Sequence, residues 1–390
     1  MQHNDSCLDS CLDAAAGREP ASARRQPRAS APDSLPRREF LAATAALVGG
    51  VALAERAAGS EPAGEAGPPG PVRLPASATK ENARSIVVGP QIPVITNLRP
   101  DLSVDLDGIR SNVNYLVEHG MVTGKGVLLA VGAGGDFDVL SLEERKAVAR
   151  AIVEAAGGRV PVVVGIQDSN PRVCLELARW AQSLGAYGVQ VSPTYYHTPS
   201  DDDFLRFIRS LHDATAKLGI MIYNTWWQGY NVPHEVLDKL VDLERVVAIK
   251  WSHPGGPLDY AQGVRRYCKR VAVIDNALMC VLTHLLGGHG FITHFATVWP
   301  EHELKIWSLC RSGHYQEAME MHAADNFRWA GFQGKIGGRT SGESPAVKAA
   351  LELTGRPGGP SRPPSRALSP EERGELATLL RALGVPNVSA

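Results

Sequence analysis

No apolar run in this 390-residue chain reaches the roughly 20 residues that a membrane-spanning helix needs. The mature protein is therefore expected to have no membrane partner. Net charge is equally scarce. A formal balance of -1 gives no electrostatic case for a nucleic-acid partner. The six cysteines show no metal-ligand spacing. Cys7 and Cys11 lie in a polar tail, and Cys174, Cys268, Cys280 and Cys310 sit in apolar or helical contexts that read as buried free thiols. No His/Glu set falls at strand ends with suitable spacing, which argues against a metal and against zinc-dependent chemistry. What the chain does have is apolar material, 44% of its residues, enough for a large core.

The N-terminus reads as a separate object. Residues 1–35 are rich in Ser, Ala, Arg, Pro and Asp without an apolar period, and read as disordered. Pro36-Arg37-Arg38-Glu39-Phe40-Leu41 then precedes the small, mildly hydrophobic stretch Ala42 to Ala54. Paired arginines, a Phe-Leu step and a short apolar segment fit a twin-arginine export signal. Residues 1–54 are assigned to tail plus signal, with a small-x-small step at Ala52-Leu53-Ala54. The expected address is periplasmic or extracellular, with the cytoplasm as the alternative. Residues 55–88, rich at first in Gly, Pro and Ala, read as a linker.

From Ile92 the pattern alternates. Short apolar runs at Ile92–Thr96, Gly126–Val131, Pro161–Ile166, Gly188–Ser192, Gly219–Tyr223, Val246–Lys250, Val271–Ile274 and Gly290–Thr293 are separated by segments of helical period. Leu106, Ile109, Val113, Leu116 and Val117 form one such stripe. Eight units over residues 89–300, with no Gly-rich dinucleotide turn, predict an α/β fold of (β/α)8 TIM-barrel type. Residues 301–390 turn helical and predict a C-terminal extension, with helices over His314–Phe327, Pro345–Leu353 and Pro370–Leu383.

Lys250 ends the sixth run, Val246-Val247-Ala248-Ile249-Lys250. A parallel barrel keeps its chemistry at the C-terminal ends of its strands. An apolar wall there disfavours the charged amine, and a neutral amine attacks a carbonyl to form a Schiff base. One strand upstream, Ile220-Met221-Ile222-Tyr223-Asn224 brings a phenol to the same rim. Near the barrel's start, Gly132-Ala133-Gly134-Gly135-Asp136 makes a turn open enough to present backbone amides.

These segments resemble, in order and spacing, the dihydrodipicolinate synthase/N-acetylneuraminate lyase family. Gly132–Asp136 with Leu140-Ser141 and Glu143-Glu144 parallels its Gly-Thr-Thr-Gly-Glu…Leu-Ser…Glu-Glu, and Tyr195-Tyr196-His197-Thr198-Pro199 its Tyr-Tyr-x-x-Pro. Tyr223-Asn224, Ala248-Ile249-Lys250, Gly290-Phe291-Ile292-Thr293 and Ser344-Pro345-Ala346-Val347-Lys348 match further family segments, so that the likeness runs from Pro90 to about Val385. The resemblance implies a Schiff-base lyase or aldolase needing no cofactor beyond the imine at Lys250. Its substrates would be a 2-oxo acid such as pyruvate and an aldehyde. Tyr223 would shuttle protons, and Tyr196 would complete a relay across a tight dimer contact. The amides of Ala133, Gly134 and Gly135 would cradle the substrate carboxylate as an anion-binding nest, with Ile292 beside them. A homodimer or homotetramer is implied as well.

Two departures stand out. The paired threonines of the family turn are Ala133-Gly134, which removes the hydroxyl linking the tyrosines. The synthases' Tyr-Asn-x-Pro-x-Arg-Thr-Gly is here Tyr223-Asn224-Thr225-Trp226-Trp227-Gln228-Gly229, without the arginine. Arginine is the natural bidentate partner of a second carboxylate, so its loss argues against aspartate semialdehyde. Trp226 and Trp227 instead suit a less charged aldehyde, aromatic or sugar-derived. His197, His253, His289 and His294 are available for polar contacts or proton transfer, and His294 directly follows the last strand run. Alternatives are a 2-keto-3-deoxy sugar acid dehydratase using the same lysine, a barrel that only binds a small carboxylate, and an ordinary 4-hydroxy-tetrahydrodipicolinate synthase.

Overall fold

The computed structural model describes residues 74–389, so the tail, the twin-arginine segment, Cys7 and Cys11 lie outside the described residues. Eight parallel strands close into a barrel in sequence order: β1 Gly89–Pro93, β2 Val127–Ala130, β3 Val162–Gly165, β4 Gly188–Val191, β5 Gly219–Tyr223, β6 Val246–Trp251, β7 Ala272–Asp275 and β8 Gly290–Ile292. Helices lie between successive strands, as right-handed crossovers between parallel neighbours require. Their ends are set locally. Ser141 and Glu144 form a capping box that starts the helix Leu142–Ala156, and Gly157 ends it in the left-handed conformation at φ 55°.

Alternation along each strand assigns its two faces. Leu128 and Ala130 pack outward among the helices, whereas Val127 and Leu129 point into the barrel with Val163, Met221, Ala248, Ala272 and Ile274. The same period of two turns Lys250 inward from Ala248, and Tyr223 inward from Met221. The inward side chains at the strands' C-terminal ends therefore form the floor of any site.

Two boundaries differ from the sequence reading. The first strand is Gly89–Pro93 rather than Ile92–Thr96. Pairing of Gly89 with Gly290 and of Gln91 with Val127 puts the ladder on the Gly-Pro-Gln segment, while the more apolar Val94-Ile95-Thr96 run continues above it. The linker assigned to residues 55–88 also extends too far. Thr79 caps a helix, Lys80–Ile86, whose Ala83 and Ile86 close the bottom of the barrel interior.

The C-terminal helices build a second apolar cluster from Ile95, Phe295, Trp329, Phe332, Val347, Leu351, Leu376 and Leu380. The expected helix His314–Phe327 is divided. Tyr315–Met321 passes through a π-helical turn, His322–Asn326, into Phe327–Gly337. The four described cysteines are free and buried.

Candidate active site

β5, β6 and β7 run in a register that sets Tyr223 beside Lys250 and Lys250 beside Ile274. The Lys250 Nζ atom lies 3.8 Å from the centroid of the Tyr223 ring. Burial pushes the Lys250 ammonium down to about 8, although the Glu343 charge acts in the opposite direction. Burial and the same Glu343 charge push the Tyr223 phenol well up, so it is a protonated donor at neutral pH. Asn276 Nδ2 donates to the phenol oxygen at 3.5 Å.

Lys250 opens into a cavity of about 350 Å³ at the C-terminal mouth of the barrel. Its floor is the inward set Pro93, Leu129, Gln190, Tyr223, Lys250, Asn276 and Ile292, and its rim includes Ala133, Gly134, Trp227, Leu278, His294 and Glu343. A second cavity of about 510 Å³ adjoins it, and the two share Ala133, Tyr223, Trp227 and Glu343. Among the described residues, three of the six non-glycine positive-φ positions flank this mouth: Val131 at 55°, Asp136 at 58° and Leu278 at 57°.

The turn after β2 is held from outside the barrel. Asp136 pairs with the buried Lys348 at 2.8 Å, and Lys348 also donates to the Pro360 carbonyl. The Thr96 hydroxyl donates to the Gly135 carbonyl at 2.7 Å. Gly135 N–H donates to Gly132 O, which removes it from the cradle expected of three amides. Among the described residues the Ala133 and Gly134 N–H groups have no acceptor, and they remain for an anion.

Glu343 sits on the segment just before the helix Ser344–Leu353. Half of its side chain is open to solvent. Burial of its carboxyl favours the neutral form, but the His294 Nε2–H at 3.1 Å and the Lys250 charge prevail and hold it down to about 2.

The structure thus brings Lys250, Tyr223, Ala133, Gly134, Ile292 and Trp227 to one cavity, with His294 on its rim. It does not bring Gly135, Trp226 or Tyr196 there. Trp226 packs edge-on against Trp227 at 5.6 Å, and Trp227 in turn stands against Tyr223 at 5.7 Å. Tyr196 is 90% exposed, with φ at 84° and His197 against its ring. Within one chain it touches none of the groups around Lys250, because a loop carries it outward beyond β4. Gln190, Asn276 and Glu343 escaped the sequence reading. The period of two would have found the first pair, counting from Gly188 and from Ile274, whereas Glu343 is marked only by its place before Ser344-Pro345.

Fold and site together define a (β/α)8 enzyme with a buried, partly neutral amine at the barrel mouth. The model of the dihydrodipicolinate synthetase family matches residues 88–383, and the chain belongs to that family. It is 29% identical to the 4-hydroxy-tetrahydrodipicolinate synthase of Moorella thermoacetica over 75% of this chain and 97% of that relative. A second relative, 4-hydroxy-tetrahydrodipicolinate synthase 1 of Halalkalibacterium halodurans, is 29% identical over 73% of this chain and 92% of its own length. Among solved structures, a prophage protein of the dihydrodipicolinic acid synthase family from E. coli K12, in complex with pyruvate, superposes with a TM-score of 0.67 at 26% identity. That match covers 76% of this chain and 99% of the other. A Clostridium difficile protein solved with mannosamine shares the fold at a TM-score of 0.68 and 16% identity, covering 76% of this chain and 99% of its own. The chain is a lyase of the class I aldolase type, working through a Schiff-base lysine.

Proposed function

We propose that Lys250 condenses with a 2-oxo acid and that the partner aldehyde is uncharged and hydroxylated. The amine attacks the ketone carbon and water leaves, giving an iminium. In the cleavage direction the adduct's hydroxyl loses its proton and the carbon–carbon bond breaks toward the iminium. An aldehyde departs and an enamine remains. Protonation of the enamine carbon and hydrolysis then return the oxo acid and the free lysine. Tyr223, protonated and on the boundary between the two cavities, carries the proton to and from the aldehyde-derived oxygen.

The observation that carries the choice of aldehyde is the second cavity. It is lined by Gln167, Ser192, Tyr195, Thr225 and Gln228, and its charged groups are the acids Asp138 and Glu343. Gln167 Oε1 and Thr225 Oγ1 are buried without partners among the described residues. Such a wall satisfies hydroxyls and leaves an incoming carboxylate unpaired, a penalty of several kcal/mol. Aspartate semialdehyde is thus the wrong chemistry for this site, and sugar-derived aldehydes or their aldol adducts are the right one. Dehydration of a 2-keto-3-deoxy sugar acid uses the same imine and the same hydroxyl-rich wall. Borohydride trapping with pyruvate, followed by kcat/KM for an aldehyde panel, tests the reading. An adduct on Lys250 with sugar-derived aldehydes best supports it; aspartate semialdehyde as the best substrate would overturn it.

Two further parts of the reading lie around the enzyme. Export rests on the Arg37-Arg38 pair with the Phe-Leu step and the short apolar stretch after it, a segment outside the described residues. A homodimer or homotetramer in which Tyr196 is covered by a second copy accounts for an aromatic ring left exposed on a strained backbone. Sedimentation of the wild type and of Tyr196→Ser tests it.

A further inference from the structure

The missing side chain at Gly134 has a counterpart across the barrel mouth. A Cβ atom built on Gly134 would lie 2.5 Å from His294 Cε1 and 3.2 Å from His294 Nδ1. The histidine ring therefore occupies the volume that a side chain on this turn would need. Its two nitrogens face different ways. Nε2 points to the Glu343 carboxylate, while Nδ1 is buried and without a partner among the described residues. Beside it, the Ala133 and Gly134 N–H groups also lack an acceptor among the described residues. An orphaned polar atom on a cavity wall next to two free amides marks a place for a ligand that accepts hydrogen bonds.

We propose that His294, held by Glu343, is the side-chain donor that binds the carboxylate of the 2-oxo acid, together with the backbone N–H groups of Ala133 and Gly134. This rests on the reading of Lys250 as the imine-forming residue. The ring can donate in both directions only when both nitrogens carry protons: Nε2–H to Glu343 and Nδ1–H to the substrate. The ionised Glu343 supplies the acceptor that this state requires. The other titratable groups facing the ring are Lys250 and Tyr223 across the cavity, and Asp275 and His322 across a small cleft behind it. The pair fills the place of the absent threonine hydroxyl with a side-chain N–H donor. His294 is a binding and positioning residue, distinct from the proton shuttle of Tyr223.

The test measures the pyruvate concentration that half-saturates borohydride trapping at Lys250, at one fixed pH, in the full chain. His294→Leu removes the donor and should raise that concentration about ten- to hundredfold, the loss of one hydrogen bond to a charged group, with little change in trapping at saturation. His294→Asn offers an amide nitrogen near the Nδ1 position. It should recover most of the affinity. Glu343→Gln takes away the charge that holds Nε2–H and should weaken half-saturation in the same direction, by less than His294→Leu. If half-saturation ignores His294→Leu, or if Asn binds as poorly as Leu, the proposal is overturned while the Lys250 reading stands. No adduct in the unsubstituted protein overturns both.

Discussion

Placing an ammonium inside a barrel mouth has a cost in folding that can be measured apart from catalysis. Lys250 titrates near 8 in the folded chain, chiefly because burial disfavours its charge, against an ordinary 10.5. At pH 7 about one molecule in ten carries the neutral amine, whereas an ordinary lysine would offer about one in three thousand. The gain in nucleophile is about 300-fold. The corresponding free energy, about 3 kcal/mol, is lost from stability. The folded pKa is the lower one, so between pH 8 and 10.5 the unfolded chain binds the proton that the native chain has released, and stability rises with pH across that window. Below pH 8 the full cost is present.

Lys250→Met keeps the length and removes the charge. It should abolish the borohydride adduct and yet stabilise the protein at pH 7 by up to about 3 kcal/mol, an advantage that fades as pH approaches 10.5. Denaturant midpoints of wild type and variant at pH 7 and pH 10 measure this. Using their difference cancels the other titrating groups, and unchanged m-values confirm that the two unfolded states are comparable. Competitive amine labelling read by mass spectrometry gives the Lys250 pKa directly. A variant that is less stable at pH 7, or a labelling pKa near 10.5, would refute the claim that burial activates this lysine.

Other outcomes follow from the same contacts. Tyr223→Phe should lower kcat by about 10²- to 10⁴-fold through loss of the proton carrier, with the fold and the Lys250 adduct retained. Lys348→Met leaves Asp136 without its buried partner; a loss of about 3–5 kcal/mol is expected by chemical denaturation, with weaker pyruvate half-saturation because the turn of Ala133 and Gly134 is no longer held. Arg37→Lys with Arg38→Lys should retain the folded protein in the cytoplasm, since the export receptor reads the arginine pair; fractionation that finds the double variant outside the cytoplasm would remove the export reading.

Much of the fold was legible because two periods carry it. Short apolar strand runs alternating with segments of helical period gave the eight barrel units, and seven of the eight strands fall within a residue or two of their expected ends. The exception shows the limit. At Gly89-Pro90-Gln91 the ladder runs through residues with little strand propensity, because β8 brings Gly290 so close to Gly89 that a side chain at position 290 would meet its backbone. Lys250 and Tyr223 were legible for the same reason as the strands: each closes an apolar run, and parity turns both inward.

The rest of the site is made of relations that no local window contains. Glu343 belongs to a helical extension far along the chain, and nothing in Gly342-Glu343-Ser344 distinguishes it from a surface acid until the extension folds over the barrel mouth. The exchange at Gly134 reads in sequence as a loss, a hydroxyl gone from the turn. In the structure the vacated volume is filled by His294, which lies 160 positions later and whose Nε2 engages that same Glu343. Three positions that are each ambiguous alone thus acquire one meaning together. If His294 and Glu343 replace the hydroxyl, then this chain has exchanged a donor on the turn itself for one that the C-terminal extension must hold in place. The signature of that exchange should appear first in the pyruvate concentration that half-saturates Lys250, before it appears in the rate of bond cleavage.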